Sequence, residues 1–248
     1  MSKNLNNKEI EKFSRQIILK NIGATGQKKI LSSKVLIVGV GGLGCPAAEN
    51  LVRAGIGTIG LVDNDVVNLS NIHRQSLFNS KDLKKSKVYV AEKKLKEINP
   101  STKIKTYNSR LNKRNIRSII KNYELIIDRS DNFKTKFLIN DNCIKFKKKL
   151  VCGAISKFNG HIFTFDFKSK KIASLRNFYQ EEEISDDILN CEFEGVLGTT
   201  ATIVGAIQAN EALKMLMRIG QNLKNEILII DLLNLNFRKV KFEKNKPK

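Results

Sequence analysis

A doubly wound α/β sheet, mostly parallel, with an antiparallel C-terminal extension and a helix ahead of its first strand, is the fold this sequence predicts. Two observations point there. Apolar runs of strand length, Lys34-Val35-Leu36-Ile37-Val38, Thr58 to Val62, Leu125-Ile126-Ile127 and Leu150-Val151-Cys152, alternate with stretches of helix length. Strands so uniformly apolar are the kind buried on both faces of a parallel sheet. After Ser156 the rhythm changes to short strands and one long helix, the mark of an antiparallel addition. A chain of 248 residues, 41% of them hydrophobic, supports one large domain with a substantial core.

The elements follow in order. Residues 8–21, with Ile10, Phe13, Ile17 and Ile18 on one stripe, predict an amphipathic helix outside the sheet. Strand 34–38 runs into Gly39-Val40-Gly41-Gly42-Leu43-Gly44, a turn that opens a helix over residues 45–54. The strand at 58–62 ends on Asp63. A helix is predicted over residues 80–98 with Ser80 as its N-cap, a strand over 103–107, and a helix over 112–121. Strand 125–127 ends on Asp128, a helix starts at Asn132, and a strand covers 150–152. Short strands at 161–167 and 172–175 precede an acidic loop containing Glu181-Glu182-Glu183 and Asp186-Asp187. A long helix over residues 199–218, two closing strands and a frayed tail after Glu243 complete the chain. The stripe Ile203, Ile207, Leu213 and Met217 on that helix reads as core or subunit interface.

The formal charge is +21, from 45 basic against 24 acidic side chains. Such a surface favours acidic partners, but the lysines are diffuse apart from short clusters at 145–149 and 239–248, and aromatic interleaving is sparse. A dedicated nucleic-acid function is therefore disfavoured. No apolar run approaches the length of a membrane span and the first residues lack the apolar stretch of a secretory signal, so the expected location is the cytoplasm. Cys45, Cys143, Cys152 and Cys191 form no C-x-x-C pair, which suggests neither a disulfide framework nor a zinc knuckle. The first three sit in apolar contexts and read as buried; His73 and His161 read as structural.

A strand feeding Gly39-x-Gly41-x-x-Gly44 into a helix offers backbone N–H groups to phosphates, and Asp63 stands where a ribose hydroxyl would lie in a Rossmann-like fold. Those features alone also describe a dinucleotide-binding oxidoreductase. The basic residues downstream discriminate. Asn71 and Arg74, within Ser70-Asn71-Ile72-His73-Arg74-Gln75, and then Lys87 suit a triphosphate whose departing pyrophosphate gathers charge. Asp128-Arg129-Ser130-Asp131-Asn132 adds carboxylates at a sheet edge, where one can hold magnesium.

Taken together, seven segments resemble the MoeB/ThiF/HesA adenylyltransferases, relatives of the ubiquitin-activating enzymes. They are Arg15-Gln16-Ile17-Ile18-Leu19, the glycine turn 38–44, Leu61-Val62-Asp63-Asn64-Asp65, residues 69–75, Ser86-Lys87-Val88, Ser130-Asp131-Asn132, and Gly195-Val196-Leu197-Gly198 ahead of Gln208-Ala209-Asn210-Glu211-Ala212. The resemblance runs from Arg15 to about Arg238. It implies one domain in which residues 1–30 form a helical arm, 31–155 a nucleotide-binding half, 156–243 a carrier-binding and dimerisation half, and 244–248 a tail. The implied cofactor-binding set is Gly39, Gly41, Gly42, Gly44, Asp63, Asp65, Ser70, Asn71, Arg74, Lys87, Asp131 and Asn132, with Asp131 on Mg²⁺. The implied catalytic set is Arg15, reaching into the other subunit of a homodimer, with Arg74, Lys87, Asp131 and the loop cysteine Cys191.

The implied reaction is ATP-dependent adenylation of the C-terminal glycine carboxylate of a ubiquitin-like sulfur-carrier protein ending in Gly-Gly, with release of pyrophosphate. It would serve thiamine or molybdopterin synthesis or related sulfur transfer, with a sulfurtransferase as a further partner. Many relatives hold zinc with two C-x-x-C pairs; both are missing here, so zinc is expected to be absent. Arg129 stands where a small or apolar residue is usual, and either aid to the triphosphate or a weakened magnesium site would follow. The competing readings are a tRNA threonylcarbamoyladenosine dehydratase-like enzyme of the same superfamily and a non-catalytic carrier-binding subunit.

Overall fold

The computed structural model describes residues 4–130, 132–169, 172–179 and 195–242. Asp131, Cys191, the acidic loop at 181–187 and the tail after Glu243 lie outside the described residues.

The N-terminal arm departs from a single helix. α1 (Asn7–Lys12) carries a capping box in which Asn6 Oδ1 accepts from Glu9 N–H and Glu9 Oε2 accepts from Asn6 N–H. α2 (Ser14–Ile17) follows a break at Phe13, whose backbone is not helical. The break has a packing cause. Phe13 is buried with its ring against Gly55, where an added Cβ would come within 2.5 Å of the ring, while Ile10 and Ile18 stay exposed. One anchored aromatic, not a continuous stripe, ties the arm down. α3 (Gly23–Ser32), absent from the sequence reading as a separate helix, leads into the sheet.

From there β1 (Lys34–Val38), α4 (Gly44–Arg53) and β2 (Thr58–Val62) form the expected unit. The predicted helix over 80–98 is shorter: Asn79 Oδ1 accepts from Lys81 N–H and caps a 3₁₀ turn at Ser80–Asp82, and α5 (Lys87–Ile98) begins only after Ser86. Ser80 is therefore not its cap. β3 (Lys103–Tyr107), a short α6 (Ile116–Ile120) in place of 112–121, and β4 (Leu125–Asp128) come next. α7 (Phe133–Lys145) is capped by Asn132, whose side chain accepts from Thr135 N–H at 2.8 Å. β5 (Lys149–Ser156) and β6 (Asn159–Asp166) follow.

Residues 172–175 are not a strand, because Ser174 starts the short helix α8 (Leu175–Phe178) with a capping box to Asn177. α9 (Gly198–Met217), β7 (Glu226–Asp231) and β8 (Asn236–Lys241) close the described chain.

The described strands form one sheet in the order β3-β2-β1-β4-β5-β6-β7-β8, parallel from β3 to β5 and antiparallel from β5 to β8. Alternate strand residues feed two cores. Ile37, Leu61 and Ile127 join α4, α5 and α9 on one face; Leu36, Ile126 and Phe163 join α6 and α7 on the other. On α9, Met217 is buried, Ile207 and Leu213 pack against the first core, and Ile203 is 38% exposed. The strand order reverses between β1 and β4, and the crevice at such a switch point is where α/β sheets bind ligands. Among the described residues no helix is long and apolar enough to cross a membrane.

Candidate functional site

The site is built on the carboxyl ends of β1, β2 and β4. Gly39 N–H donates to Val62 O at 2.8 Å and Arg129 N–H to Val38 O at 2.9 Å, so the turns after the three strands are stitched side by side. Gly39 has φ +91°, and a Cβ there would stand 2.9 Å from Arg129 O; a Cβ on Gly44 would stand 2.1 Å from Gly39 O. Only glycine permits a turn this tight, and it leaves backbone N–H groups at the mouth of α4. Gly41 and Gly42 shape its outer wall, Gly42 against the aliphatic stem of Arg74 and Ala201 of α9.

Asp63 bonds this turn to the next strand. Its Oδ2 accepts from Val40 N–H at 2.7 Å and its Oδ1 from Asp65 N–H at 2.9 Å. Each oxygen keeps acceptor capacity for a ligand hydroxyl. Asp65 in turn receives Lys87: Nζ lies 3.0 Å from Oδ2 and Lys87 N–H donates to Asp65 O at 3.0 Å. Lys87 is buried at the start of α5, and its paired partner is exposed. A lysine held this way has its charge aimed before any anion arrives.

Asn71 is buried and accepts from Asn68 N–H through Oδ1, while its carbonyl accepts from Arg74 N–H and Gln75 N–H. That turn delivers Arg74 to Gly42, with Nη1 2.7 Å from Ser70 O and from His73 Nε2. His73 thus props the guanidinium, in keeping with a structural reading. Gly198 closes the other side, since a Cβ there would come within 2.5 Å of His73 O.

The turn after β4 rests on Asp128, fully buried. Its Oδ1 accepts from Ser130 N–H at 2.8 Å and from Ser130 Oγ–H at 2.6 Å, and its Oδ2 faces Lys136 Nζ at 3.4 Å. Lys136 Nζ also reaches Gly153 O at 3.4 Å. Sequence reading missed Lys136, and it missed buried Gln75 beside Gly41 as a candidate. A lysine one helical turn into α7 carries no local signal of burial. Arg129 Nη1 donates to Gln208 Oε1 at 2.7 Å and to Gly153 O at 3.2 Å, pinning β5 and α9 to the turn.

The structure therefore brings together the four glycines, Asp63, Asp65, Ser70, Asn71, Arg74 and Lys87, with Asn132 capping the adjoining helix. Arg15 is exposed on α2. Cys45, Cys143 and Cys152 are buried as expected, and burial pushes the Cys45 thiol up to about 12 and the other two well above their ordinary value. None of the three is poised as a nucleophile.

The ThiF family model matches residues 13–248. The chain belongs to the ThiF family. Among curated ThiF-like relatives, a probable molybdopterin-synthase adenylyltransferase of Gracilaria tenuistipitata var. liui is 38% identical over 94% of this chain and 65% of its own length. The adenylyltransferase and sulfurtransferase MOCS3 of Drosophila virilis is 40% identical over 98% of this chain and 54% of its own. A sulfur carrier protein adenylyltransferase of Thermus thermophilus is 36% identical over 96% of this chain and 89% of its own. The chain thus spans between about half and two thirds of the first two relatives. Among solved structures, E. coli MccB with ATP superposes with a TM-score of 0.82 at 19% identity, over 94% of this chain and 72% of that one, so the two share a fold.

Proposed function

We propose that this chain adenylates the C-terminal carboxylate of a ubiquitin-like sulfur-carrier protein. The single observation that carries the reading is the chain of contacts joining the glycine turn to Asp63, Asp65 and Lys87, with Arg74 laid across Gly42. A phosphate-cradling turn and two pre-positioned cations are what a triphosphate needs and what hydride transfer does not. The names of the curated relatives support the substrate class.

In this reading the glycine turn and α4 take the phosphates, Asp63 takes the ribose, and Arg74, Lys87 and Asn71 orient and neutralise the triphosphate. The carrier carboxylate, already ionised at neutral pH, attacks the α-phosphorus. The new bond is carboxyl oxygen to phosphorus; the bond to the bridging oxygen breaks, and pyrophosphate leaves with the electron pair. No general base is required, so positioning and charge neutralisation carry the rate. Asp131 and its neighbours would hold Mg²⁺, which supplies charge neutralisation on the phosphates. Arg15 completes the site of a second copy in a homodimer, Cys191 is the residue to test for a covalent carrier adduct, and a sulfurtransferase is the expected next partner. The cytoplasm is the proposed location.

The test is ATP–pyrophosphate exchange with carriers ending in Gly-Gly. Carrier-dependent exchange that disappears in Asp131→Ala is the expected result. Failure of every such carrier to support exchange, together with nucleotide-dependent modification of tRNA, would overturn it.

A further inference from the structure

A cavity of about 550 Å³ opens at the opposite edge of the sheet, where the parallel strands begin. Its floor is a cross-strand row: Lys34 on β1 pairs in register with Thr58 on β2, and Thr58 with Lys103 on β3. Strands lie roughly 4.8 Å apart, so the stems of Lys34 and Lys103 flank the threonine hydroxyl about 10 Å from each other. Lys105, two residues along β3, points to the same face, and Lys121 enters from the turn before β4. All four lysines are exposed, and none makes an ion pair with a described residue. Glu124, which accepts from Lys34 N–H at 3.2 Å, does not line the cavity.

The walls are fixed rather than loose. Tyr123 is buried with its hydroxyl over Gly60 and 3.0 Å from Tyr107 Oη. Lys148 Nζ donates to Lys121 O at 2.9 Å and to Tyr123 O, clamping the turn, and its burial lowers its own pKa.

From this geometry we infer that the cavity is a binding site for a small anion carrying two or more phosphate groups. Four unpaired ammonium groups around one concavity repel each other, and a multivalent anion relieves that more than a monoanion can. Phosphate oxygens suit ammonium donors and the Thr58 hydroxyl. The volume falls within the roughly 300–1,000 Å³ of small-ligand sites. A single-stranded nucleic acid is the poorer fit, because Tyr123 is buried and bonded rather than free to stack on a base. The site is separate from the glycine turn and stands whether or not the adenylation reading does.

The experiment titrates the full chain with inorganic tripolyphosphate, then with ADP and with a 20-nucleotide single-stranded RNA as competitors. Lysine acetylation with a water-soluble reagent, read by mass spectrometry, follows each titration. Tripolyphosphate is expected to protect Lys34 and Lys103 in the unaltered protein. The Lys34→Gln/Lys103→Gln variant should bind tripolyphosphate at least about tenfold more weakly at one site, because two charge-assisted hydrogen bonds are lost. Lys87→Ala should leave that site intact, and Lys239→Gln/Lys241→Gln should change nothing. Stronger protection by ADP than by tripolyphosphate identifies a nucleotide as the source of the phosphates; the reverse identifies a free oligophosphate. Absent protection of Lys34 and Lys103, equal weakening by Lys239→Gln/Lys241→Gln, or better protection by RNA than by either small anion would overturn the inference.

Discussion

The two ends of the same parallel strands are built on opposite electrostatic plans. At the carboxyl ends the functional cations have assigned partners: Lys87 leans on Asp65, and Arg74 on Ser70 O and His73. At the amino ends, Lys34, Lys103, Lys105 and Lys121 face one cavity with no carboxylate paired to any of them among the described residues. Pairing fixes a side chain's direction at some cost in net charge, which suits a site that must position a reacting group. Unpaired charge sacrifices direction for field strength, which suits capture. The contrast shows how one sheet can offer anions two kinds of reception without sharing a residue between them.

The largest effect expected on the ordered end concerns its foundation. Asp128→Ala strips the buried partner from Lys136 and should cost roughly 3–5 kcal/mol, visible in thermal or denaturant unfolding. Adding Lys136→Met should recover part of that loss; failure to recover any would mean the pair is not what holds the turn. Next, Lys87→Ala should reduce carrier-dependent pyrophosphate exchange by about 10²–10³-fold with little change in melting temperature. Asp65→Asn leaves Lys87 in place but unaimed, and about a tenfold loss of exchange is expected, with stability nearly unchanged because the carboxylate is more than half exposed. Equal losses from Lys87→Ala and Asp65→Asn would show that aim matters as much as charge.

The smallest effect lies outside both ends. Burial, with Arg238 nearby, lowers the pKa of His161 below its usual 6.5, so the folded state favours the neutral ring. The unfolded chain then binds the proton more readily, and this contribution is full above about pH 6.5 and declines as pH falls through that value toward the folded pKa. His161→Gln should flatten the stability profile between pH 7 and pH 5, measured by chemical denaturation.

Most of the architecture follows from local pattern. The uniformly apolar strands, the glycine turn and the helix start near Asn132 are each written in a few adjacent residues, and each appears where the sequence places it. What local pattern misses is decided by residues far apart. Phe13 breaks the first helix because Gly55 leaves room for its ring. Arg129 is tied to α9 because Gln208, on a helix much later in the chain, accepts from it. The lysine row is invisible in the chain because Lys34, Thr58 and Lys103 become neighbours only through the strand order β3-β2-β1.

The direct test of the central claim is hydrogen–deuterium exchange on the full chain with and without a non-hydrolysable ATP analogue and magnesium. Joint protection of peptides spanning residues 39–45, 63–75, 86–90 and 128–133 is the predicted result. Protection confined to one of these segments, or none at any of them, would contradict the idea that they close on one triphosphate.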